Sequence, residues 1–256
     1  MTFRTIRVEE RDDAARITLD QPERRNALSL ETMTELIAAF RSVGASKARG
    51  VVLAASGPAF SAGHDFRDMV GRDLAAMRAL IGRCNELMQL IQTIPQPVVA
   101  RVHGLATAAG CQLVATCDLA VASEEAAFAT PGGRGGWFCT TPMVAVSRAI
   151  GRKRALELLF SGRPIDARTA ADWGLVNRVV PGDALDAETD ALLRDVTRGS
   201  ALSKGIGKQA YYAQIDMDQP KAYAYALEVM AASSLTDDAR ENIQAFLEKR
   251  RPVFKS

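Results

Sequence analysis

Residues His103-Gly104-Leu105-Ala106-Thr107-Ala108-Ala109-Gly110-Cys111-Gln112-Leu113 come directly after the apolar run Val98–Val102, which reads as a buried strand. Gly104 breaks that strand, and the small apolar residues 105–114 read as the start of a helix after a tight turn. A second stretch is built alike: Phe60-Ser61-Ala62-Gly63-His64-Asp65-Phe66 follows the apolar strand 51–54 and lies in a glycine-bearing loop, 57–66. Small residues at a strand-to-helix turn let peptide N–H groups point outward at a helix N-terminus, where the macrodipole favours negative charge. Two such N–H groups aimed at one point form an oxyanion hole, which stabilises a thioester enolate or a tetrahedral oxyanion. Either loop alone serves close packing equally well. The pair is more specific.

Working outward, residues 3–9 and 15–19 read as two strands separated by the turn-prone Arg11-Asp12-Asp13. Ser29 is a plausible N-cap for a helix whose apolar positions Met33, Leu36, Ile37 and Phe40 recur at i, i+3, i+4 and i+7. A long helical stretch covers about 71–93, and two short strands are expected at 118–121 and 126–129. Beyond about residue 141 the pattern becomes helix after helix: 142–150, 152–160, 167–173, 183–199, 202–214, 219–234 and 236–249. No internal repeat and no low-complexity linker stands out. The reading is an α/β core over 1–195 with an α-helical C-terminal region over 196–256.

The chain has 256 residues, of which 32 are basic and 30 acidic, so the net charge of +2 argues against a non-specific nucleic-acid binder. Apolar residues at 48% and charged ones at 24% give ample surface to offset chain entropy, which argues against disorder. Four cysteines, at 84, 111, 117 and 139, form no CxxC pair and read as reduced thiols. The two histidines, His64 and His103, have no zinc-site spacing to them. The first twenty residues carry five acidic groups and no apolar h-region, unlike a signal peptide and poorly suited to a transit peptide. No run approaches the ~18 apolar residues of a membrane span. A soluble, cytoplasmic chain without a membrane partner is expected.

Beyond the two loops, distinctive stretches are Pro22-Glu23-Arg24-Arg25-Asn26-Ala27-Leu28, Thr116-Cys117-Asp118, Ala171-Asp172-Trp173-Gly174-Leu175-Val176-Asn177-Arg178-Val179-Val180, and Ala245-Phe246-Leu247-Glu248-Lys249-Arg250-Arg251-Pro252. With them the chain resembles the enoyl-CoA hydratase/isomerase (crotonase) superfamily over nearly its whole length, and within it the enoyl-CoA hydratase domain-containing subgroup. The resemblance implies a crotonase-like α/β fold of repeated ββα units with a helical C-terminal region, assembled as a trimer or a dimer of trimers. It implies an acyl-CoA thioester ligand of fatty acid metabolism, with coenzyme A as part of the substrate and no separate cofactor or metal. The oxyanion-hole N–H groups would be those of His64 and Ala109. The CoA moiety would meet the segment holding Arg24, Arg25 and Ala27, although an exposed arginine there is commonly just solvated. Ala62, Asp65, Phe66 and Phe138 would lie about the substrate, and Lys249 or Lys255 would help cover the nucleotide, sometimes that of a neighbouring subunit.

The sequence departs from the family's pattern at both catalytic glutamates. The position three residues after the second oxyanion N–H is Gln112, and the position after Pro131 is Gly132. Glutamine orients a water but does not titrate near neutral pH, so the ~10²–10⁴-fold help of a general base is not available from it. Gly132 offers only backbone, and the resulting wall is expected to be roomier and more mobile. If carboxylates alone are missing, glutamate at both positions raises hydration. His64 could titrate beside the oxyanion hole or simply face solvent or Asp65. Asp65 could instead cap the following turn, and Cys139 beside Trp137 and Phe138 suits an inert buried thiol. Ser61 and His64 lack an orienting acid for a triad. Pro131-Gly132-Gly133-Arg134-Gly135-Gly136 lacks the lysine and the spacing of a phosphate loop, and Arg134 at its tip could meet an acidic acyl group. Three functions stay open: hydratase/isomerase chemistry, another reaction of the same intermediate (decarboxylation, thioester hydrolysis or isomerisation), and non-catalytic acyl-CoA binding.

Overall fold

A computed structural model describes residues 2–11 and 13–255 of the chain. Strands β1 (Ile6–Arg11) and β2 (Ala14–Leu19) pair antiparallel. Part of the expected turn between them, Asp12, lies outside the described residues. Helix α1 (Leu30–Gly44) begins where Ser29 accepts a hydrogen bond from the Thr32 N–H, and it buries Met33, Leu36, Ile37 and Phe40 as one stripe.

Three ββα units follow. The first is β3 (Gly50–Ala55), β4 (Ala59–Ser61) and α2 (Leu74–Thr93). The second is β5 (Val98–Val102), β6 (Leu105–Thr107) and α3 (Ala109–Thr116). The third is β7 (Leu119–Ser123), β8 (Ala127–Ala129) and α4 (Pro142–Ile150). The chain then runs through α5 (Arg152–Ser161), β9 (Ile165–Asp166), α6 (Ala167–Trp173), β10 (Arg178–Val180) and α7 (Leu185–Thr197). It ends in α8 (Ala201–Gln214), α9 (Gln219–Ser233) and α10 (Asp237–Leu247).

The first strand of each unit joins a six-stranded sheet of order β1-β2-β3-β5-β7-β10, parallel from β2 onward. The second joins a four-stranded sheet of order β4-β6-β8-β9, in which only β9 is antiparallel. Every residue of β3 is buried, as expected for a parallel strand covered on both faces. One core lies between the sheets and the helices α1 to α6, and a smaller cluster forms where α7 packs its Leu185, Leu192 and Leu193 on the large sheet.

Several expectations need correction. The loop after β3 contains a strand, β4, that three residues are too few to announce. Residues 105–107 form β6 before α3 begins, so the helix starts later than its apolar composition suggests. The strands β9 and β10, two and three residues long, are too short to show a period in the sequence. The long helix opens at Leu74, three residues late, because the Asp73 carboxylate accepts from the Ala76 N–H and caps it there. No described helix is long and apolar enough to cross a membrane.

Candidate active site

The small sheet ends three parallel strands at one place. The loops leaving β4, β6 and β8 converge there, as expected at the carboxyl ends of parallel strands. With the first three turns of α2 they enclose a cavity of about 1020 Å³. Ala62, His64 and Phe66 come from the first loop, Thr107, Ala108 and Ala109 from the second, and residues 131–142 supply the third wall.

The first two loops touch. A Cβ built on Gly63, whose φ is +82°, would stand 3.0 Å from the Ala109 nitrogen and 2.9 Å from the Thr107 carbonyl oxygen. Only glycine fits there. Ala108 has φ 51° and ψ −119°, a conformation that costs an L-residue about 1–3 kcal/mol and that delivers Ala109 as the first residue of α3. The peptide N–H groups of His64 and Ala109 have no acceptor among the described residues. Leu28 flanks this corner: its N–H donates to the Gly63 carbonyl at 2.7 Å, and its own carbonyl accepts from Asp65 at 3.4 Å. Asn26 ties the same segment down, its buried amide donating to the Ser56 and Ala59 carbonyls.

The His64 ring lines the cavity with both nitrogens buried and without a partner. Burial pushes its pKa down, against the opposing pull of the Leu28 carbonyl and the Asp68 carboxylate, so the imidazole is neutral at pH 7. Cys139 also lines the cavity, and burial raises its pKa, so it is a thiol rather than a thiolate. All four cysteines are buried and free.

Gly132 and Arg134 sit in a short 3-10 turn, Pro131–Gly135, which brings both to the cavity together with Phe138. Phe138 meets Phe160 with ring centroids 5.9 Å apart. The turn is tight. A Cβ on Gly132 would stand 2.8 Å from the Cys139 sulfur and nearer still to the Trp137 carbonyl oxygen, so the expected roomier wall is instead a backbone packed against backbone. None of the 22 residues lining the cavity is Asp or Glu.

Other expected site residues lie elsewhere. Gln112 is buried one turn into α3, its amide oxygen without a partner, and is not a lining residue. Asp65 is 7% exposed, caps the turn Phe66–Asp68 and is gripped at both oxygens by Arg67, each at 3.0 Å; that guanidinium holds its carboxyl below the usual range. This is the capping role expected as the alternative, and Asp65 is not a lining residue. Arg24, Arg25 and Ala27 flank the Gly63 loop through the Ala62 N–H to Arg25 carbonyl bond, 2.9 Å, but do not line the cavity. Lys249 follows α10 and Lys255 pairs with Asp237 at 3.2 Å, both outside the cavity lining. Sequence reasoning missed Leu74, Met77, Arg78 and Ile81 on α2. The signal was an apolar i, i+3, i+7 stripe beside the core stripe of Leu80, Cys84, Leu87 and Ile91.

With this geometry in hand, the comparisons with known proteins are specific. The family model described as enoyl-CoA hydratase/isomerase matches residues 9–256. The mitochondrial enoyl-CoA hydratase domain-containing protein 3 of Mus musculus is 42% identical over 249 residues, which are 96% of this chain and 82% of the mouse protein. A crystal structure of an enoyl-CoA hydratase from Mycobacterium smegmatis superposes with a TM-score of 0.95 at 43% identity, covering 99% of this chain and all of that one. That of the human enoyl-CoA hydratase domain-containing protein 3 gives 0.94 at 40%, covering 98% and 100%. The expected crotonase-like fold is therefore present. The expected cytoplasmic location is overturned, since the mouse relative and its human counterpart are named as mitochondrial proteins.

Proposed function

Since the chain belongs to the enoyl-CoA hydratase/isomerase family, we propose that its cavity binds an acyl-CoA thioester with the thioester oxygen between the N–H groups of His64 and Ala109. The observation that supports this reading is the contact of the two loops at Gly63, where a Cβ would stand 3.0 Å from the Ala109 nitrogen, with His64 and Ala109 both lining the cavity. Donors held in advance stabilise an enolate oxyanion without reorganising, and one such donor is commonly worth ~10²–10³ in rate. The hole is made of backbone, so side chains at 64 and 109 are permissive. CoA itself would run along the segment of Arg24 and Arg25, and the chemistry asks for no further cofactor.

The usual pair of glutamates has no counterpart at Gln112 and Gly132, and no carboxylate lines the cavity. This favours a second reading beside hydration: a reaction whose enolate forms without a carboxylate base, or binding without turnover. The neutral His64 imidazole is the one histidine on the cavity and the group best placed to carry or accept a proton. We also assign the helical region 196–256 to self-association as a trimer or a dimer of trimers, because α9 buries none of its residues within one chain.

The test is calorimetry with butyryl-CoA together with a crotonyl-CoA hydration assay at neutral pH. Butyryl-CoA should bind, and His64→Ala should keep that binding within a few-fold, since the N–H remains. Absence of binding removes the acyl-CoA reading. Brisk hydration removes the reading in which no base is present.

A further inference from the structure

Resting on the acyl-CoA reading above, we infer that the cavity is built for an acyl group ending in an anion, such as a carboxylate, received by Arg78 and Arg134. The two arginines reach the cavity from separate elements, Arg78 from the second turn of α2 and Arg134 from the turn after β8. Neither has a hydrogen-bonding or ion-pair partner among the described residues, although the chain as a whole carries nearly as many acids as bases. Asp73, the carboxylate nearest Arg78 in sequence on its own helix, is committed to capping the Ala76 N–H. The 22 lining residues include these two cations and not one acid.

Arg134 is exposed, but its stem lies against the backbone of Gly162. Gly162, with φ +57°, lies under its stem: a Cβ there would stand 2.9 Å from the arginine's Cγ and 2.8 Å from its Cδ. The glycine leaves a groove for the methylenes and so leads the guanidinium along one wall. The rest of the cavity is mostly apolar, with Leu74, Met77, Ile81 and Phe138 suited to a methylene chain. An apolar channel with unpaired guanidinium groups on it selects a chain that ends in a planar anion, which Arg binds in a bidentate fork.

The experiment measures binding by calorimetry for pairs matched in acyl carbon number: succinyl-CoA against butyryl-CoA, glutaryl-CoA against pentanoyl-CoA, and adipoyl-CoA against hexanoyl-CoA. The wild-type chain should prefer at least one ω-carboxyl member over its plain partner by about tenfold or more. Arg134→Ala and Arg78→Ala should each cut that preference by about tenfold, and Arg134→Lys should restore only part of it. Gly162→Ala, which displaces the Arg134 stem, should reduce the same preference, with the melting temperature checked alongside. No preferred ω-carboxyl member, or an unchanged preference in both arginine variants, overturns the inference. Equal losses for both members of a pair leave the preference unchanged, assign the arginines to the CoA phosphates and overturn it too. If plain thioesters and free CoA also fail to bind, the acyl-CoA reading has failed, a result distinct from binding without discrimination.

Discussion

Gly132 occupies the position where a catalytic glutamate would stand by resemblance, and its surroundings decide what substitution can do. The Cys139 sulfur and nitrogen and the Trp137 carbonyl close around the place of a Cβ. A side chain there must push the turn open, and overpacking of this kind costs about 1–3 kcal/mol or more. Gln112 is different, since its helix already holds a side chain of glutamate's size. Gln112→Glu should therefore fold, whereas Gln112→Glu/Gly132→Glu should melt several degrees lower and gain no crotonyl-CoA hydration. A gain at an unchanged melting temperature would show that only the carboxylates were missing. At His64 the prediction concerns pH. Burial lowers its folded pKa below 6.5, so as pH falls the unfolded chain takes up the proton first. The stability present above pH 6.5 is then lost as pH falls through the lower folded value. His103, also lowered by burial, acts in the same window. Glu35, Asp65 and Asp186 titrate below ordinary values of 4.5, 3.8 and 3.8 and leave that window to the histidines. Urea titrations at pH 7.5 and 5.5 should show a smaller difference in His64→Gln than in wild type, but not a vanishing one.

The attachment of α8 to the core shows how one helix is pinned. Lys208, 8% exposed in its side chain, reaches off α8 to Asp118 at 2.7 Å and donates to the Ile91 and Gln96 carbonyls. Tyr212, one turn on, donates its hydroxyl to the other Asp118 oxygen at 2.8 Å, and the Val98 N–H donates to the same carboxylate. The carboxylate thus joins β5, the start of β7 and α8. Burial lowers the Lys208 pKa, and the Asp118 charge opposes that shift. Removing one member of a buried pair leaves the other uncompensated, so Lys208→Met should cost about 3 kcal/mol, and Tyr212→Phe about 1 kcal/mol. Chemical denaturation measures both. A loss below ~1 kcal/mol in Lys208→Met would mean that the pair is no better than the methionine that replaces it.

On the scale of the whole molecule, α9 and α10 carry several exposed large apolar side chains. Tyr223, Leu227, Met230, Phe246 and Leu247 are all more than 60% exposed. Self-association through this region follows from the proposed assembly. Sedimentation of the wild type should give a multiple of the protomer mass, and Leu227→Glu/Phe246→Glu should shift it toward the monomer while the circular dichroism spectrum stays the same. A wild-type monomer at micromolar concentration would remove the assembly from the proposal.

Local physics was readable from the residues themselves. The Ser29 cap and the spacing of Met33, Leu36, Ile37 and Phe40 specify α1, the apolar runs 51–54 and 98–102 specify strands of the large sheet, and the two small-residue loops mark the site. What depended on chain segments meeting was not readable. Of the second strands of the ββα units, β8 is legible at 126–129, but β4 and β6 have only three residues each, too few to show a period, and their identity comes from their neighbours in the small sheet. The closed turn at Gly132 depends on Trp137 and Cys139 folding back over it, and the turn after Asp65 brings Arg67 onto both of its oxygens. Arg78 and Arg134, which line one cavity, are 56 residues apart in sequence. Periodicity and capping act within a few residues, and so the sequence alone determined most helices and the strands β1, β2, β3, β5 and β7 of the large sheet. Which side chains share a cavity is set by contacts between distant segments, and only the tertiary structure decided that.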